Sequence, residues 1–201
     1  MATRSYLSPA RDAAAAATQA KVVEAAARLL REPGAAAGFS LDAVAKAAGV
    51  TRLTVYNKFG SRRGLLEAVF DQRAQEGGLA RIPEAMKMPD PRAALARIVT
   101  IFCEFWAHDP AVGSLHDAAS ADPEFRLALT ERNELRRTLL RALVKRCLAP
   151  AQHRRRGDDA VDLLFALTSH AMYRSLEPGR SGAQVCALLL PLCEKALGAE
   201  G

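Results

Sequence analysis

Along most of this chain apolar residues recur every three to four positions, the spacing of one face of an α-helix, and few windows alternate with period two or concentrate β-branched residues. From Thr18 to Arg31, Val22, Ala26, Leu29 and Leu30 form such a stripe, and Pro33-Gly34 stops it. A loop to Phe39 leads into two short helices within residues 40–59, which Gly60 closes. Ser61 then caps a fourth helix faced with Leu65, Leu66, Val69 and Phe70. Gly77-Gly78, Pro83, Pro89 and Pro91 punctuate residues 77–91, where the spacing predicts a boundary between a head and a larger body.

In the body, Leu95, Ile98, Val99, Phe102 and Trp106 line a helix that ends before Pro110, and a short helix to about Ser120 follows. Asp122-Pro123 opens a long helix through Leu148, with Phe125, Leu129, Leu135, Leu139, Leu143 and Cys147 as its apolar stripe. The basic run HRRR at 153–156 reads as the loop that ends it. Two helices finish the chain, Asp158 to Leu176 and Ser181 to Leu197. The last is apolar nearly all round, and a helix greasy on every side needs cover that one chain supplies only in part, so a homodimer joined through these two helices is expected. Pro191 inside it is expected to bend or break it. The fold class is therefore all-α: an N-terminal three-helix helix-turn-helix head and a C-terminal helical body. Its parts are a flexible basic arm (1–17), the head (18–76) and a dimerising body (77–201).

Ser40 to Phe59, SLDAVAKAAGVTRLTVYNKF, has the pattern of a helix-turn-helix that reads DNA. Ala45 is small enough for two helices to approach closely, Gly49 can take the left-handed backbone of the turn, and Val55 completes the apolar contact. Ser40 and Thr51 stand where N-caps belong.

Charge strengthens that reading. Of the 201 residues, half are hydrophobic and the net charge is +6. Residues 1–66 hold 10 Lys/Arg against 4 Asp/Glu, while the rest holds 18 of each, so the whole excess lies with the helix-turn-helix, where it attracts a polyanion. Arg4 and Arg11 in the arm suit a minor-groove contact, although a frayed terminus accounts for them more simply. Cys103, Cys147, Cys186 and Cys193 form no CxxC or Cys/His cluster and read as buried reduced thiols, with no metal and no cofactor. No run approaches a membrane span and no secretory signal is evident, so a cytoplasmic protein is expected.

Residues 39–70 resemble the TetR family of bacterial transcriptional regulators. The shared elements, in order, are Ser40, Ala45, Ala48-Gly49-Val50-Thr51, Thr54-Val55-Tyr56, Phe59, Gly60-Ser61 and Leu65-Leu66. The resemblance covers about the first third of the chain. It implies an Ω-shaped all-helical homodimer with a DNA-binding head and a ligand-binding body, usually a repressor released from a palindromic operator by a small molecule. Leu53 departs from the pattern, standing where many members carry Gly or Pro, and points to an apolar contact such as a thymine methyl.

The expected DNA-binding residues are Ser40, Thr51, Arg52, Leu53, Thr54, Tyr56, Asn57, Lys58, Ser61 and Arg62. Arg52 has the fork that reads guanine, with a phosphate contact as the alternative; Thr54 and Asn57 suit bases or backbone. Tyr56 resembles the family's phosphate-binding tyrosine, Lys58 and Arg62 should act likewise, and Ser40 and Ser61 open helices whose amides point at phosphate. In the body Phe102, Phe105, Trp106, His116, Phe165 and Met172 are candidate walls of a cavity for a small apolar or aromatic ligand, although core packing explains them as well. His170 faces either the cavity or a partner. An enzyme is not expected, since the chain offers no GxxxxGK, GxGxxG, HExxH or ExxH motif. The competing readings are a ligand-free architectural DNA binder and, behind it, a helical-bundle enzyme.

Overall fold

The structure, a computed structural model, describes residues 9–32, 34 and 38–198. Among these it contains eleven α-helices and no strand. The head holds α1 (Pro9–Leu30), α2 (Leu41–Ala48), α3 (Arg52–Phe59) and α4 (Arg62–Glu76). A 3₁₀ turn (Leu79–Arg81) and α5 (Ile82–Met86) lead to α6 (Pro91–His108), α7 (Ala111–Ala121), α8 (Pro123–Cys147), α9 (Pro150–Leu167), α10 (His170–Leu176) and α11 (Gly182–Ala196).

Local signals account for the head. Ser40, Thr51 and Ser61 each accept a hydrogen bond from the backbone amide three residues on, at 3.2, 3.1 and 3.0 Å, worth about 1 kcal/mol apiece. Gly49 closes α2 in the left-handed region at φ 62°, where a side chain would be strained. Gly64 meets a different constraint: a Cβ there would collide with the carbonyl of Phe59, so the first turn of α4 can close under the end of α3 only with no side chain.

Four sequence expectations need correction. Residues 9–17 belong to α1 and are not an arm separate from it, because a run of alanines has the highest helix propensity and Pro9 suits a first turn; Arg4, Pro33 and the rest of 1–8 lie outside the described residues. HRRR is not a loop: Pro150 starts α9 and residues 153–156 continue it. The expected helix from Asp158 to Leu176 is instead split at Thr168-Ser169, where the Ser169 hydroxyl accepts from Met172 N at 3.1 Å and begins α10. Finally, α11 runs unbroken through Pro191, with Val185, Leu189 and Cys193 buried on both sides of it; tertiary burial outweighs one lost hydrogen bond.

The long-helix stripe is also displaced. Leu135 is 71% exposed, whereas Arg136 beside it is only 8% exposed and falls in line with buried Leu129, Leu140 and Leu143. An arginine thus occupies an interior position of α8.

Two apolar clusters form the core. The first joins Val22, Val44, Val55, Leu65 and Leu66 of the head to Phe105, Val112, Leu115 and Phe125 of α6, α7 and α8. The second packs Ile98, Leu143, Leu164, Val185 and Leu189 within the body. Helix α4 touches α1, α3, α6, α7 and α8, so it packs the head directly against the body. Among the described residues no helix is long and apolar enough to cross a membrane.

Candidate nucleic-acid interface and body cavity

Helix α3 buries Val55 completely and partly buries Phe59, while Leu53 and Tyr56 are 65% and 55% exposed. Two large side chains are thus left in water on an eight-residue helix. Arg52 and Asn57 are exposed with them. The Arg52 guanidinium lies 3.2 Å from the carboxylate of Asp42, both being well exposed. A surface pair of this kind contributes at most about 1 kcal/mol, so Arg52 can exchange Asp42 for a base edge or a phosphate.

The remaining expected contacts differ in availability. Thr51 and Thr54 share a hydroxyl hydrogen bond of 2.9 Å at the start of α3. Lys58 donates to the Ala15 carbonyl of α1 at 2.8 Å, tying the end of α3 to the first helix. Ser40 and Ser61 are engaged as caps. Arg62 is directed inward: it donates to the Phe39 carbonyl at 3.2 Å and to Asp122 of the body at 2.6 Å. That ion pair, missed in the sequence because sixty residues separate its members, serves to join head to body.

A second connection centres on Asp109, between α6 and α7. It accepts from Arg31 at 3.0 and 2.6 Å, from Arg73 at 2.9 Å and from the Ala111 amide at 2.8 Å. Burial opposes its charge, but the hydrogen bonds from Arg31, Ala111 and Arg73 outweigh that and hold the carboxyl down to about 2. Three charged groups from three distant parts of the chain therefore fix the head against the body.

Between α4 of the head and α6, α7 and α8 of the body lies a cavity of about 380 Å³, open at Leu135 and within the size range of small-molecule sites, roughly 300–1,000 Å³. Phe102, Phe105, Trp106 and His116 line it, as do Arg132, Asn133 and Arg136 of α8. Phe165 and Met172 do not. Phe165 stands behind the wall, its ring 4.1 Å from the Arg136 guanidinium carbon, and Met172 packs into the second core cluster. The three polar α8 residues escaped the sequence reading, although Leu129, Asn133, Arg136 and Leu140 keep helical spacing and an arginine within an apolar stripe was the available signal.

The far side of the cavity is tied together at Thr168, which is 2% exposed. Its carbonyl accepts from the Trp106 indole at 3.1 Å, and its hydroxyl accepts from Arg136 at 2.8 Å. His116 Nδ1 lies 3.0 Å from the Val112 carbonyl, and its ring stacks on His170 with centroids 4.2 Å apart; since a carbonyl only accepts, Nδ1 carries the proton. Burial lowers the pKa of both rings, and with His116 and Arg174 beside it His170 is pushed down to about 3. His170 is half-buried there, its ring packed against both His116 and Trp106. Among the described residues no group of three His, Cys, Asp or Glu could hold a metal ion, and all four cysteines are free.

Residues 22–69 match the family model described as bacterial regulatory proteins, tetR family. No curated protein matches the chain. Among solved structures, the fatty acid degradation regulator FadR from Bacillus halodurans superposes with a TM-score of 0.66 at 18% identity, covering 90% of this chain and 95% of that one. The TetR family transcriptional regulator PfmR from Thermus thermophilus also gives 0.66, at 22% identity over 90% and 96%. A transcriptional regulator FadR from Bacillus subtilis, solved in complex with stearoyl-CoA, gives 0.62 at 16% identity over 90% and 98%. At these identities the likeness is one of fold, and it extends beyond the head to the helical body.

Proposed function

We propose, from the premise that this chain belongs by its head to the bacterial regulatory proteins of the tetR family, that it is a homodimeric repressor released from a palindromic operator by a small molecule. The observation that carries the reading is the water-exposed set Arg52, Leu53, Tyr56 and Asn57 on α3, in the part of the chain that holds all the excess positive charge. Arg52 is the base reader, Leu53 the apolar contact, and Thr54 and Asn57 secondary readers. Tyr56 and Lys58 hold phosphates, with the amides opened by Ser40, Thr51 and Ser61 beside them. Arg62 contributes to phosphate binding only if it leaves Asp122.

Dimerisation rests on α9 and α11, where Leu163, Leu188 and Leu192 are 51%, 45% and 46% exposed. Apolar area of this kind on two adjoining helices favours a second copy as cover. Residues 18–76 then act as the reading unit and 77–201 as the receiving unit, working in the cytoplasm beside the DNA, as a regulator rather than an enzyme. The ligand enters the body cavity; stearoyl-CoA in the Bacillus subtilis regulator of the same fold is one precedent for a ligand with an apolar chain.

Release follows from geometry. Two recognition helices must match half-sites roughly 34–36 Å apart, one turn of DNA. A ligand that moves α6 or α8 moves Asp109 or the α4 contact and so the head. Selection of bound sequences from a random DNA pool tests the reading: an inverted repeat is the expected product. A direct or single half-site, or no enrichment at low salt, would overturn it.

A further inference from the structure

Resting on the reading of the body as a ligand receptor, we infer that its cavity takes an apolar molecule bearing one acidic group, a carboxylate seated on Arg136. Arg136 lines the cavity and is 8% exposed. A charge hidden to that degree is normally paired with an opposite charge. This one has no carboxylate partner among the described residues. Nη1 donates to the Phe165 carbonyl and the Thr168 hydroxyl, each at 2.8 Å, Nη2 reaches Asn133 Oδ1 only at 3.4 Å, and Nε has no partner at all. Arg132, one turn earlier, is by contrast already matched with Asp71 at 2.7 Å.

The rest of the wall is the complement of such a molecule. Phe70, Phe102, Phe105, Trp106 and Leu129 supply an apolar surface against which a hydrocarbon body is favourably buried. The Arg136 guanidinium lies over Phe165 at 4.1 Å and Phe102 at 5.9 Å, so its plane is held before any ligand arrives. A carboxylate entering beside it gains charge-assisted hydrogen bonds about twice as strong as neutral ones and supplies the missing counter-charge. An uncharged molecule of the same shape fills the apolar part and leaves Arg136 as it is; a cation is repelled.

The chain has a single tryptophan, and it lines this cavity, so Trp106 fluorescence reports filling directly. The full-length protein is titrated near neutral pH with decanoate and with 1-decanol, and its binding to selected DNA is measured on the same sample without either. Decanoate is expected to bind at least about tenfold more tightly than decanol, about 1.4 kcal/mol. Arg136→Gln is expected to bring the two within about twofold. Equal binding of the two by the unaltered protein overturns the acidic-group assignment while the receptor reading stands, and needs no variant to fold. Binding of neither overturns both. A preference for decanoate that survives in a folded Arg136→Gln protein removes Arg136 from the role.

Discussion

The Arg73 guanidinium donates to Asp109 Oδ2 across 2.9 Å, with the two side chains only 3% and 5% exposed. Arg73 belongs to α4, which also touches α3, and Asp109 sits at the junction of the body helices α6 and α7. Asp109→Asn leaves Arg73 buried without its buried counter-charge. Since Glu24 and Glu76 still approach Arg73 at 2.9 and 3.1 Å, the loss should fall at the lower end of the roughly 3–5 kcal/mol seen when one partner of a buried pair is removed. Urea unfolding checks this; a change under about 1 kcal/mol would show the pair to be dispensable.

Asp109 and His170 contribute to acid sensitivity with the same sign. Asp109, held at about 2, contributes stability that is complete above its ordinary 3.8 and disappears as pH falls through 2. His170 is held neutral, down to about 3 from 6.5, so the unfolded chain takes up a proton that the folded chain refuses. Its contribution is complete above 6.5 and declines as pH falls towards 3. His170→Gln should therefore flatten the decline of stability between neutral and mildly acid pH, by a fraction of the roughly 1.4 kcal/mol per pH unit that one proton can contribute. An unchanged slope in thermal melts across that range would rule this out.

Gly64→Ala should disturb recognition from outside the recognition helix. The new Cβ meets the Phe59 carbonyl, a backbone atom that cannot swing aside, so the end of α3 must move. A stability loss of about 1–3 kcal/mol with weakened operator binding is expected. Unaltered melting and unaltered mobility shifts would mean that the turn has room to spare.

On DNA, Arg52→Ala should relax sequence choice, with about 1–3 kcal/mol of discrimination lost at one base pair. Lys58→Ala should weaken binding to every sequence and flatten its salt dependence by about one unit, and it also unties α3 from Ala15. Titrations against operator and random duplexes at several salt concentrations separate the two; matching effects on both duplexes would contradict these roles.

Leu163→Glu together with Leu188→Glu should convert dimer to monomer, since both side chains are already half in water on α9 and α11 and the charges cost little there until a partner covers them. Sedimentation analysis gives the answer, and a dimer that persists would place the interface elsewhere.

The head was legible because its signals are local. A cap, a left-handed glycine and a helix-spaced leucine each act within four residues, so Ser40, Gly49, Thr51, Ser61 and the face of α4 could be read in order. The body was less so. Whether Leu135 or Arg136 faced inward could not be told from composition, because both lie near the edge of the same stripe and packing against Phe102 and Phe165 decided it. Phe165 looked like a cavity wall for the same reason that Phe102 did, being aromatic on a helical face, and it took the neighbouring helix to set it one layer back.

What the chain's order of residues determined alone is its helical class, the turn chemistry of its head and the outward face of α3, for these follow from backbone propensity and from side chains that need no distant partner. Tertiary structure decided the pairings of Arg73 with Asp109 and Arg62 with Asp122, the run of α11 through Pro191 and the burial of Arg136. Each depends on groups tens of residues apart meeting where water is excluded, and the strength of a charge or the loss of one hydrogen bond is set by that surrounding rather than by the residue itself.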